Sequence, residues 1–124
     1  MQRIVPFMFG AGLALCVQAA HSQQFPEGAT TPTATDISKY LDDKVFNVKL
    51  ADGNSWRLEY KANGFFYVNT STGFNSSGQW RAEDGRLCGQ LKGRDRGCND
   101  VRIDQGLLHL KRDSGEIIQP RNRS

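Results

Sequence analysis

From position 45 onward, apolar and polar residues alternate in short runs, and most runs are cut off by a glycine turn. Phe46, Val48 and Leu50 share one side against Asn47 and Lys49, and Trp56, Leu58 and Tyr60 alternate with Arg57, Glu59 and Lys61. The cuts fall at Asp52-Gly53, Asn63-Gly64, Asp84-Gly85, Gln105-Gly106 and Asp113-Ser114-Gly115. A period of two places successive side chains on opposite faces of a strand. Asp-Gly and Asn-Gly supply the left-handed backbone that tight hairpins require. About eight short strands, with a turn signal roughly every ten residues, describe an all-β fold: a small antiparallel meander forming a barrel or a sandwich.

The stretch 78–103 organises this pattern. Trp80 and Ala82 point one way, and Arg81 and Glu83 the other. After the Asp84-Gly85 turn, Leu87, Gly89 and Leu91 face inward, which turns Cys88 outward. Beyond the basic turn at 92–97, Val101 and Ile103 face inward and Cys98 therefore faces outward. The two sulfurs share one face of neighbouring strands, as a Cys88–Cys98 disulfide requires.

The chain has 124 residues, the length of a single domain. Residues 1–22 have the pattern of a secretory leader: a short basic start at Arg3, an apolar run from Ile4 to Val17, then small residues ending at Ser22. No basic stop-transfer flank follows, so no stable membrane insertion is expected after cleavage. Cys16 lies inside the leader behind Leu15, a poor setting for lipidation. The two cysteines that remain read as a bridge in an exported domain, periplasmic or secreted. Loss of Arg3 takes the formal net charge from +3 to +2. The charges are well mixed, which argues against nucleic acid as a partner.

Residues 23–35, rich in Thr, Pro, Ala and Gly, read as a flexible linker. Residues 36–43 are the helical candidate, capped by Thr35 or Asp36, with Ile37, Tyr40 and Leu41 on one face. Two turns cannot stand alone, so this helix must pack on the sheet as a plug. The β-domain is expected over 36–120, and 121–124 as a polar tail.

Little in the chain suggests catalysis. His109 alternates with Leu108 and Leu110 and is expected to face outward, with no nucleophile-elbow pattern to serve. One histidine cannot build a zinc site when both cysteines are bridged, so neither a metal nor another cofactor is expected. Two patches are candidate binding sites. Phe65, Phe66 and Tyr67 form an aromatic run with Phe74 beyond it; this is either a strand between the core and the helix or a binding surface. Lys92, Arg94 and Arg96 project from the end of the disulfide hairpin; they are either solvated or meet an acidic partner.

The segment from Ser77 to Cys88, with Cys98 following, resembles small uncharacterised exported bacterial proteins in which a short helix precedes a β-meander. These are periplasmic families of unknown function with calycin-like or lipocalin-like barrels. The resemblance implies that fold and compartment and carries over no active-site residue. The expected function is that of a monomeric, non-catalytic exported β-domain binding a small apolar ligand or a protein, in the manner of an inhibitor. An enzyme acting on envelope polymers and a structural envelope protein are the alternatives.

Overall fold

A computed structural model describes residues 22–123. The leader expected over 1–22, with Cys16, falls outside the described residues apart from Ser22. Within them one helix, α1 (Ala34–Leu41), precedes nine strands: β1 (Lys44–Lys49), β2 (Ser55–Tyr60), β3 (Phe65–Thr70), β4 (Asn75–Glu83), β5 (Arg86–Leu91), β6 (Gly97–Asp104), β7 (Leu107–Lys111), β8 (Ile117–Ile118) and β9 (Arg121–Asn122). All neighbouring strands are antiparallel. They make one sheet in the order β8-β7-β6-β5-β4-β3-β2-β1-β9, which curls into a half-barrel and excludes a sandwich.

The sheet's two outermost strands are consecutive in the chain, separated only by Gln119 and Pro120. Residues 121–122, expected in a polar tail, instead pair with Asn47 and Phe46. The reason is closure: an unpaired β1 edge would leave backbone groups exposed, and the last residues of the chain cover part of it. The remainder of that seam is bridged at its tip, where the Ala51 N–H donates to Glu116 Oε2 at 2.8 Å.

Register confirms the alternation. Phe46 lies opposite Leu58, Leu58 opposite Val68, and Tyr60 opposite Phe66 on the concave side. Between β3 and β4 the chain makes only a short turn, and β4 begins at Asn75. Asn75, Ser76 and Ser77 pair with Asn69, Val68 and Tyr67 of β3.

The helix begins two residues earlier than expected. Thr33, not Thr35 or Asp36, is the N-cap: its hydroxyl accepts from the Asp36 N–H at 3.1 Å, while Asp36 Oδ2 accepts from the Thr33 N–H at 3.3 Å. This reciprocal capping box satisfies two orphan donors at once. Ile37 and Leu41 are fully buried, and Tyr40 stacks on Phe46 with centroids 5.5 Å apart. The helix thus sits at the end of the half-barrel where β1 starts, and leaves the convex side of β3 uncovered.

Residues 23–35 are not a free linker. The Gln23 N–H donates to the Gly115 carbonyl, and Gln23 Oε1 accepts from the Ile117 N–H. The Phe25 ring lies 5.2 Å from the Arg102 guanidinium and 5.8 Å from the Lys111 ammonium. Thr30 makes an isolated bridge to Ile103, Pro32 is buried, and its carbonyl accepts from the Gly85 N–H. The segment is a strap that runs from the β7–β8 turn across the convex face to the helix. Side-chain and main-chain bonds distributed over distant strands hold it, a pattern invisible to local composition.

Candidate functional site

The disulfide is present, between residues directly opposite in the β5–β6 register with Cα atoms 4.0 Å apart. Both cysteines lie on the convex face, as parity requires, but Cys88 is only 1% exposed. A Glu83 carboxylate oxygen lies within 4.8 Å of both sulfurs. Glu83 is itself held by Arg81 at 2.7 Å and Arg86 at 2.8 Å. Hydrogen bonding from Arg81, then Arg86, keeps its carboxyl below the usual carboxylate range. Sulfurs bonded to one another offer no thiolate, so this trio is not a metal-ligand set.

His109 faces the convex side, the outward facing expected from its alternation with Leu108 and Leu110, yet it is only 4% exposed. It lies opposite Arg102 and two residues from Lys111, the two cations that flank Phe25. The strap passes over this part of the sheet. His109 Nδ1 lies 3.1 Å from the Leu107 carbonyl of its own strand.

The predicted aromatic run divides by parity. Phe66 is a core residue, stacked on Tyr60 with centroids 5.7 Å apart. Phe65 and Tyr67 are exposed on the convex face. Phe74 sits in the β3–β4 turn at the end of the sheet away from α1, where it meets the predicted basic turn: the Arg94 guanidinium lies 5.2 Å from its ring centroid. The Arg94 carbonyl accepts from Gln90 Nε2 at 3.0 Å, which fixes the turn that carries it. Lys92 instead joins Tyr67 along a shallow convex groove with Glu59 and Asn75, and Arg96 is exposed outside both places. The two patches therefore come together in two separate places, the Phe74–Arg94 contact and the groove shared by Tyr67 and Lys92, and form no single surface.

That contact stands at the rim of a cavity of about 490 Å³ on the concave side. Its walls are apolar: Leu58, Val68, Leu87, Leu91, Leu110 and Ile118. Both tryptophans of the chain, Trp56 and Trp80, line it. Gly89 lies opposite Trp80; a Cβ there would stand 3.4 Å from the Phe66 ring, so its missing side chain gives that ring room. The charged groups gather at the rim. Arg112 lies 4.8 Å from the Trp56 centroid and is paired with Glu116 at 2.6 Å. Asp113 accepts from Asn99 Nδ2 at 3.1 Å. Sequence parity pointed Trp80, Leu87, Gly89 and Leu91 inward; that they surround a space depends on how far the sheet curls.

Fold and site together define a class: a single curled antiparallel sheet with a helix at one end and an apolar concave cavity whose charged rim lies at the other. In comparisons with known proteins, no family model, curated protein or solved structure matched this chain. No helix among the described residues is long and apolar enough to cross a membrane.

Proposed function

We propose that this protein is an exported, non-catalytic β-domain that binds a small apolar ligand in the concave cavity. The observation that carries the reading is the combination of an apolar wall with a charged rim, in a space of about 490 Å³. Cavities of roughly 300–1,000 Å³ with a few polar groups at the edge are the usual form of small-molecule sites. Export is supported by the Cys88–Cys98 bridge, which persists in oxidising compartments, and by the leader-like sequence at 1–22. The likeness to exported lipocalin-like barrels belongs to the same reading.

Because both tryptophans line the cavity, their emission reports on it directly. Titration with the neutral apolar dye N-phenyl-1-naphthylamine is expected to quench tryptophan emission saturably, with one site per chain. Leu110→Phe, which fills the half-buried wall, should weaken binding about fivefold or more while the thermal melt stays close to that of the parent. Non-saturating quenching, or equal affinity in the filled variant, would reject the cavity as a ligand site.

The exposed Phe65 and Tyr67, at 43% and 40%, favour a second reading, a protein partner on the convex face. A partner whose capture from envelope extract is lost in Phe65→Ser/Tyr67→Ser, and kept in the Leu110→Phe variant, would support that reading over the first.

A further inference from the structure

Tyr60 is the one element of the cavity that its apolar character does not explain. The residue is 6% exposed and lines the cavity, with Phe46, Phe66 and Trp80 rings around it at centroid separations of 6.2, 5.7 and 5.4 Å. Among the described residues, no side chain or backbone group is within hydrogen-bonding geometry of its hydroxyl. Two other polar aromatic groups around the core are satisfied. Trp80 Nε1 donates to the Lys61 carbonyl at 2.8 Å, and the Tyr40 hydroxyl donates to the Pro120 carbonyl at 3.3 Å. A phenylalanine would fill the same space without burying a polar group, and a buried hydroxyl without a partner is unfavourable. A ligand that brings its own partner removes that cost.

The surroundings limit what the partner is. The charged groups lining the cavity, Arg94, Asp95, Arg112 and Asp113, belong to the turns at the rim. Tyr60 ends β2 at the opposite, helix-bearing end. Four residue steps along β3 carry the chain from the level of Phe66 to that of Thr70, roughly 13 Å. Lys44 lies opposite Tyr60 in register, but its ammonium donates to the Lys39 carbonyl at the end of α1. A charged ligand group at the deep end would be stripped of water with no counter-charge, whereas a neutral oxygen would need only one hydrogen bond. Burial also pushes the Tyr60 pKa well above its ordinary value, so the hydroxyl keeps its proton at neutral pH.

Building on the cavity as a ligand site, we infer that Tyr60 is its specificity-determining residue. Its hydroxyl hydrogen-bonds a neutral oxygen, a hydroxyl or carbonyl, at the leading end of a compact apolar ligand. The ligand enters past the Phe74–Arg94 rim, oxygen first.

The test compares 2-naphthol with naphthalene by calorimetric titration against the parent protein and Tyr60→Phe. In the parent protein 2-naphthol should bind about tenfold more tightly, the fold-change of one net hydrogen bond. Without a partner in the cavity the naphthol hydroxyl would weaken binding, since it must leave water. Tyr60→Phe should erase the preference and leave naphthalene affinity within about twofold. Naphthalene binding with no preference for naphthol, or a preference that survives Tyr60→Phe, overturns the role of Tyr60 and leaves the cavity reading standing. Failure of both probes to bind the parent protein removes the cavity reading and this inference together. The probe pair on the parent protein decides the matter even if the variant folds poorly.

Discussion

Replacing both Cys88 and Cys98 by alanine removes the only covalent clamp on the β5–β6 hairpin among the described residues, and its cost follows from the chain length it closes. The cysteines are separated by 10 residues. Loop-closure entropy for a ring of that size restricts the unfolded chain by about 2.7 kcal/mol at room temperature. Alanine also removes a sulfur from a position that is 1% exposed, a packing loss on the order of 0.5–1.5 kcal/mol by comparison with single-methyl deletions. The double variant should therefore lose about 3–4 kcal/mol, a large share of the roughly 5–15 kcal/mol of a domain this size. The two contributions separate experimentally. Parent protein reduced in denaturant and refolded keeps its sulfurs, and should lose only the entropic part. Urea titration of the oxidised, reduced and alanine forms measures this. The m-value should rise when the bridge is absent, because the freed unfolded chain exposes more surface. Near the melting temperature, 2.7 kcal/mol corresponds to a fall of roughly 10–20 °C. A loss under about 0.5 kcal/mol with unchanged m would refute the reasoning, since the unfolded hairpin would then be confined without its bridge.

Two further predictions concern β4, the neighbouring strand. Gly78→Ala places a Cβ against the Gln90 carbonyl and 2.8 Å from Leu91 Cα. Backbone cannot yield as a side-chain tip can, so β4 and β5 must separate there; a loss of roughly 1–3 kcal/mol is expected by denaturant titration, and a neutral substitution would contradict the close approach. Glu83 has a folded pKa below its unfolded one, so its contribution to stability is present above the unfolded value and is lost as pH falls through the folded one. Glu83→Gln should flatten the acid limb of melting temperature against pH in low salt, with less effect in high salt. A Glu83 carboxyl that titrates at or above the ordinary glutamate range by NMR would reverse this sign.

The legible part of the site was the part set by parity. A strand residue's face depends only on its neighbours in sequence, so the two-residue period alone turns Trp80, Leu87, Gly89 and Leu91 inward and both cysteines outward. Parity does not say whether a face is open. Cys88 and His109 face the convex side as their strands demand, yet both are covered, one near the Arg81–Glu83–Arg86 cluster and the other beneath the 23–35 strap. The cover over His109 comes from residues far away in the chain, and that near Cys88 from charged side chains just before it, so neither follows from the two-residue period.

The sequence by itself determined an all-β meander, the turns between its strands, and the facing of the disulfide pair, because each rests on a two-residue period or on the backbone freedom of glycine. Tertiary structure alone decided that residues 121–122 close on β1, that Phe74 and Arg94 meet at one rim, and that Tyr60 is buried without a partner among the described residues. The physical reason is that curvature brings together groups up to dozens of residues apart. How much space a curled sheet leaves inside is a sum over all its side chains, which no single stretch of sequence contains.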